Sequence, residues 1–238
     1  MKVYRINNIF YSLQGEGANT GRAAVFVRFA GCNLRCPFCD TEFDSYREMT
    51  ADEILEAVSG FGARFVVLTG GEPTLQVDEG LVDMLHNEGF YVAMESNGTR
   101  PAPSNLDWLT VSPKSIGVDA SQRRSGAEAK HVVGDASQRH RETVATLGSV
   151  DSYDGDCHAW KRDPLPNEIK VVFTEEMANG ETAALGRLAT LDTNLFLQPC
   201  DTGDPIRNAA IMQHCVDYIK QHPLWRLSLQ THKLIGIE

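Results

Sequence analysis

The strongest constraint on this chain is a rhythm that recurs along most of its length: a short apolar run, a polar or Gly/Pro-rich loop, a helical stretch, then the next apolar run. Residues 24–29 are β-branched and aromatic and read as a strand. Residues 65–68 form a second run ending in Thr69-Gly70-Gly71-Glu72-Pro73. Residues 90–94 end in Glu95-Ser96-Asn97-Gly98, residues 108–111 in Ser112-Pro113-Lys114, and residues 194–197 in Gln198-Pro199-Cys200-Asp201. Residues 168–173 and 225–229 add further strands. Helices are expected from Thr50, where Glu53 completes a capping box, over 81–88 and over 206–219. Such alternation predicts an α/β fold with a parallel sheet, open or partly closed. The polar punctuation falls at the C-terminal ends of the strands, where such folds build their sites.

The stretch 117–166 breaks this rhythm. It is rich in Ser, Arg, Asp, Gly and Ala and poor in large apolar residues. A surface insertion within a single domain of residues 1–238 explains it better than a second core. The 238 residues suffice for one sizeable domain. A formal charge of −10 argues against a phosphate-backbone partner, so no nucleic acid is expected. No apolar run reaches the roughly 20 residues that span a bilayer, and the first residues lack a signal-peptide pattern. The expectation is a cytoplasmic protein with no membrane partner.

Three of the six cysteines fall within eight residues: Cys32, Cys36 and Cys39, spaced Cys-x3-Cys-x2-Cys. Three thiolates in one loop can ligate three irons of a 4Fe–4S cluster and leave the fourth iron open to a chelating ligand. The competing reading is a structural zinc site, which calls for four ligands, often in two pairs. Cys157, Cys200 and Cys215 stand isolated. Cys157 reads as an incidental thiol and Cys215 as a core residue.

The cysteine loop after a first strand, with Gly70-Gly71-Glu72-Pro73 after a second, resembles the radical S-adenosylmethionine (SAM) superfamily. Further segments narrow the resemblance: Tyr11-Ser12-Leu13-Gln14-Gly15-Glu16-Gly17, Asp40-Thr41, Ser112-Pro113-Lys114, and the ending from Leu229-Gln230-Thr231-His232-Lys233 to Glu238. Together they are similar to the 7-carboxy-7-deazaguanine synthase family over most of the chain outside 117–166.

The resemblance implies a compact, modified partial (β/α)6 barrel with an insertion after the fourth strand. It also implies ring contraction of 6-carboxy-5,6,7,8-tetrahydropterin with loss of ammonia. SAM, a 4Fe–4S cluster and Mg2+ would be the cofactors, with a flavodoxin or ferredoxin as electron donor and a homodimer as the assembly. Leu13, Gln14, Gly15, Glu16, Arg28, Thr69, His232 and the terminal Glu238 would face the pterin. Phe38, Cys39, Asp40, Gly71, Glu72, Ser112, Pro113, Lys114, Gln198 and Pro199 would border SAM. Cys32, Cys36 and Cys39 would hold the cluster, and Thr41 the magnesium.

Bland rivals stand beside these roles. Arg28 could make a surface pair, Thr41 could cap a turn, and Gln14 to Gly17 could be a plain turn. Two other functions also stay open: a radical SAM activase acting on a glycine of a partner enzyme, and a non-catalytic zinc-binding module. Two features depart from the family pattern, the length of the insertion and the acidic side chain of Glu238 at the terminus.

Overall fold

The computed structural model describes residues 2–114, 165–179, 182, 185 and 192–237. Most of the 117–166 stretch, Cys157 and Glu238 lie outside the described residues.

Nine strands form one sheet in the order β3-β1-β2-β4-β5-β6-β7-β8-β9. Its parallel part holds β2 (Ala23–Phe29), β4 (Phe65–Gly70), β5 (Tyr91–Ser96), β6 (Trp108–Val111), β7 (Glu168–Phe173), β8 (Asn194–Pro199) and β9 (Trp225–Leu227). The order is linear, so the sheet is open rather than a closed barrel. The six-fold repeat is not kept strictly. Among the described residues the parallel run has seven strands, the last of three residues, and 97–107 joins β5 to β6 without a helix.

Two strands go beyond the sequence reading. β1 (Val3–Leu13) runs antiparallel to β2, and β3 (Arg47–Thr50) runs antiparallel to β1. In β1, Tyr4 and Ile6 alternate into the core, but Asn7-Asn8 interrupt the pattern where the register shifts at a bulge. β3 has four residues and no apolar alternation to announce it.

Among the described residues the helices are α1 (Ala51–Ser59), α2 (Glu79–Asn87), the short α3 (Glu175–Ala178), α4 (Pro205–Gln221) and the short α5 (Thr231–Ile235). Thr50 and Glu53 form the expected capping box at the start of α1. None of the described helices is long and apolar enough to cross a membrane.

Strand parity sorts the side chains. In β2, Val25, Val27 and Phe29 pack with Ile54 and Val58 of α1 and Leu81 and Leu85 of α2, as do Val66 and Leu68 of β4 and Val92 and Met94 of β5. Each such fully buried aliphatic side chain contributes about 1.5–3 kcal/mol. In β7 and β8, Ile169, Val171, Phe173, Leu195 and Leu197 pack with Ile211 and Cys215 of α4. Successive side chains point to opposite faces of a sheet. Arg28, Thr69, Glu95, Lys170 and Gln198 therefore stand on the face away from these helices, near the C-terminal ends of their strands.

Candidate active site

That face lines a cleft of about 400 Å³, the size of a small-molecule or cofactor site. One wall is the cysteine loop. Cys32, Leu34, Cys36, Phe38, Cys39, Asp40, Thr41 and Phe43 all border the cleft. Cys32 and Cys36 are half-buried, Cys39 is exposed, and all three are free thiols. The loop carries no helix or strand; a turn bond from Cys39 N–H to the Cys36 carbonyl (3.1 Å) and one from Gly31 N–H to the Phe43 carbonyl (2.8 Å) shape it. Among the described residues, no three His, Cys, Asp or Glu side chains converge on one single-ion position. Thiolates of a four-iron cluster bind separate irons and need no such common point. Three thiols on one cleft-lining loop fit that donor set.

The Gly70-Gly71-Glu72-Pro73 loop clamps this wall from behind. Gly71 N–H donates to the Phe29 carbonyl and Glu72 N–H to the Gly31 carbonyl, both at 2.9 Å. A Cβ on Gly71 would sit 2.1 Å from the Gly31 carbonyl oxygen, so glycine is required there by the cysteine loop itself. The placement of Glu72 differs from the sequence expectation. Its carboxylate is fully buried, does not line the cleft, and accepts from Ser96 Oγ (2.8 Å), Asn97 N–H (2.7 Å), Thr74 N–H (3.0 Å) and Thr74 Oγ1 (2.6 Å). Three of these donors fall on Oε1 and one on Oε2, so the carboxylate ties the ends of β4 and β5 together and keeps an acceptor position on Oε2. Pro113 is likewise buried and absent from the cleft wall.

The opposite wall is a network of charged and amide groups. Lys170 Nζ pairs with Glu16 Oε2 and lies 3.5 Å from Glu95 Oε1; the side chains of Lys170, Glu16 and Glu95 are 6%, 15% and 25% exposed. Gln198 and Gln230 donate to Glu16 Oε1 at 3.2 and 3.0 Å. Gln14 donates to Glu95 Oε1 at 3.0 Å, and Thr69 Oγ1 donates to Glu95 Oε2 at 3.3 Å. Burial disfavours the Glu16 charge, but Lys170, Gln230 and His232 outweigh it and hold the carboxyl below its ordinary range. Burial likewise opposes the Lys170 charge, and Glu16, Glu95 and Glu168 outweigh it, so the ammonium is held more firmly than usual. Burial and then the charge of Lys170 push Lys114 down; its Nζ donates to Ser112 Oγ at 2.8 Å.

Arg28 projects from β2 between the walls. Its Nε is buried without a hydrogen-bond partner, and its guanidinium carbon lies 5.2 Å from the centre of the Phe10 ring. A buried guanidinium nitrogen with no acceptor is costly, and an anion in the cleft would satisfy it.

The C-terminal segment closes one side. Thr231 N–H donates to the Gly15 carbonyl at 3.0 Å, His232 packs on Gly15, and Lys233 pairs with Asp40 at 2.7 Å and Asp201 at 3.3 Å. Burial opposes the Asp40 charge, but Lys233 and Gln230 outweigh it and hold the carboxyl low.

The cleft thus brings together Leu13, Gln14, Gly15, Glu16, Arg28, Phe38, Asp40, Thr41, Thr69, Gly71, Ser112, Lys114, Gln198, Pro199, His232 and the three loop cysteines. The sequence reading assigned no role to Glu95, Lys170 or Gln230. The signal for Lys170 lies in parity: Glu168 and Lys170 are charges alternating with Ile169, Val171 and Phe173 in a strand whose apolar residues are buried.

Comparison with known proteins agrees with this geometry. The model of the radical SAM superfamily matches residues 26–143. A 7-carboxy-7-deazaguanine synthase of Bacteroides thetaiotaomicron is 41% identical, with 98% of each chain covered. The chain belongs to the 7-carboxy-7-deazaguanine synthase family. Another synthase, from Burkholderia multivorans, is 37% identical over 98% of this chain and 99% of the relative. The crystal structure of QueE from Escherichia coli aligns with a TM-score of 0.65 at 27% identity, covering 95% of this chain and 93% of that one. Membership of a radical SAM family implies a 4Fe–4S cluster and SAM, and the cysteine loop of this synthase family member is placed to hold the cluster.

Proposed function

We propose that this chain is a radical SAM lyase that contracts 6-carboxy-5,6,7,8-tetrahydropterin to 7-carboxy-7-deazaguanine with loss of ammonia. One observation carries the reading: a single cleft is lined by the three-cysteine loop, by an arginine whose buried Nε has no acceptor among the described residues, and by two carboxylates. That is the donor set for a cluster next to the donor set for a small acid with an N–H-rich ring. Near-full-length similarity to synthases of this name supports the choice of substrate.

In this reading the cluster and SAM, when bound, supply the hydrogen-abstracting radical chemistry. The protein binds, orients and shields. Arg28 takes the substrate carboxylate in its guanidinium fork, and His232 flanks it. Glu16 and Glu95 accept from the ring's N–H edge, and Gln14 and Thr69 fix Glu95. Gly71, Phe38, Asp40, Ser112, Lys114, Gln198 and Pro199 border SAM, and Glu72 holds the loop behind them. Thr41, whose hydroxyl lies 3.5 Å from Asp40 Oδ1 on the cleft wall, supplies a hard oxygen to Mg2+. Substrate and water would supply its other ligands, since Mg2+ keeps much of its hydration. A flavodoxin or ferredoxin delivers the electron, and the chain works as a homodimer.

The test is an anaerobic reaction of the reconstituted protein with the pterin, SAM, Mg2+ and a reductant, read by mass spectrometry. A deazaguanine carboxylate with release of ammonia is expected. Deoxyadenosine without that product would favour the activase reading. Zinc at full occupancy without a reducible iron–sulfur signal would favour the binding module.

A further inference from the structure

We propose that Lys170 is a positioning residue for pterin binding, its ammonium holding Glu16 and Glu95 side by side as ionised acceptors for the substrate's N–H edge. The inference rests on the function proposed above and deepens it. Two carboxylates from different parts of the chain, Glu16 from the β1–β2 loop and Glu95 from β5, meet on one buried nitrogen. Carboxylates crowded into one site cannot both stay charged unaided; one takes up a proton. A protonated carboxyl presents a donor where the ring edge also presents donors, and the match is lost.

The surrounding charges make Lys170 the group that decides this. Glu168, two residues back on the same strand, adds a third carboxylate, and Ala18 N–H donates to it at 2.8 Å. Burial pushes the Glu168 carboxyl up, and Glu95 and Glu16 push in the same direction. Lys114, beyond β6, is itself held down by burial and by Lys170. From α5, His232 favours the Glu16 charge, while Asp40 reaches this group only through Gln230. From β8 comes only the neutral Gln198. Among the described residues, Lys170 is the cation in direct contact with both carboxylates. It also lines the cleft, so its effect is exerted where the ring would sit.

The test uses the reconstituted holoenzyme and the pterin at several pH values between about 6.5 and 8.5. In the wild type, KM for the pterin is expected to stay flat within about twofold. K170M should raise it at least about tenfold at neutral pH, the scale of a lost charge-assisted contact. The rise should grow as pH falls, because the carboxyls now take up protons near neutrality. K170R should recover most of the loss. Iron content and the cluster's spectrum should match the wild type in both variants, since the cysteine loop is untouched.

A K170M enzyme with unchanged KM, a rise equal at every pH, or a K170R variant no better than K170M would each overturn the proposal. If K170M does not fold, the wild-type profile decides: a flat KM supports the role, and a carboxyl titration in KM overturns it. A wild type that cleaves SAM and yields no deazaguanine would instead remove the function on which the inference rests.

Discussion

The two walls of the cleft are built in opposite ways. The polar wall is carried by Thr69, Glu95, Lys170 and Gln198 on strands with Gln14, Glu16 and Gln230 beside them, and its charged groups are satisfied by protein: Glu16 takes Lys170, Gln198 and Gln230, and Glu95 takes Gln14, Thr69 and Lys170. The cysteine wall is a loop without regular structure, and its thiols find little in the protein. Cys32 Sγ accepts from Leu34 N–H at 3.4 Å and lies 4.0 Å from Asn97 Nδ2, and Cys39 Sγ lies 3.7 Å from the Thr41 carbonyl. Order on the first wall comes from hydrogen bonds fixed during folding. On the second it comes from the clamp at Gly71 and Glu72 and from ligation, whose free energy is coupled to the order of the ligands. A substitution on one wall should therefore leave the chemistry of the other readable.

The largest effect is expected for Cys36→Ala. Removal of one of three thiolates should abolish cluster assembly and with it all deoxyadenosine formation, while the far-ultraviolet circular dichroism stays that of the wild type. Electron paramagnetic resonance of the reduced protein checks the first half. A cluster retained with full SAM cleavage would remove Cys36 from the ligand set. A loss of the overall fold would show that the two walls are not separable.

Arg28→Ala should act on the polar side alone. Among the described residues the buried Nε has no hydrogen-bond partner, so truncation breaks no bond at that nitrogen and gives up the contact with the Phe10 ring. The pterin should lose about ten- to a hundredfold in affinity, the worth of a charge-assisted pair. Deoxyadenosine formation without pterin should persist. Unchanged pterin affinity would rule out the carboxylate clamp.

The contrast between the walls also explains what could be read before the structure. The cysteine wall is legible because its chemistry is local: three thiols within eight residues carry their spacing in the sequence. The parallel strands are legible because Val25, Val66, Val92 and Ile169 sit in apolar runs buried on the helix side. The polar wall is not local. Glu16, Glu95 and Lys170 come from three distant segments, and only the sheet order β2-β4-β5-β6-β7 brings them together. The surroundings of Glu72 were hidden for a related reason. A glutamate in a Gly-Gly-Glu-Pro loop can face a ligand or its own neighbours, and its partners Ser96, Asn97 and Thr74 lie partly on another strand. β1 escaped because its bulge falls on Asn7-Asn8 and disguises an otherwise alternating strand.

Gly15→Ala probes the seam between the polar wall and the C-terminal segment. The added Cβ would lie 2.1 Å from His232 Nδ1, 2.9 Å from its Cγ and 3.0 Å from its Cβ, so the ring must swing aside and the start of α5 must shift slightly. The expected result is displacement of the imidazole with the fold kept and a KM for the pterin raised several-fold. His232→Ala should do the same. Because both act through one ring, the double variant should be no worse than either single one. Additive losses would show that Gly15 and His232 contribute separately.

The smallest effect is expected furthest from the cleft, at the capping box of α1, and it tests whether the comparison between the walls is specific. Thr50 Oγ1 accepts from Glu53 N–H at 3.3 Å, and the Glu53 carboxylate accepts from Thr50 N–H at 2.7 Å and from its hydroxyl at 2.9 Å. Thr50→Ala removes the hydroxyl and leaves the return bond, so the loss should be about 1 kcal/mol of stability. Thermal or denaturant unfolding checks the magnitude. Cluster content, deoxyadenosine formation and pterin KM should all match the wild type, because α1 packs on the helix face of β2 and β4 and its residues do not reach the cleft. A change in KM from so remote a site would mean that the polar wall is not fixed by its own strands, and the division drawn between the walls would have to be abandoned.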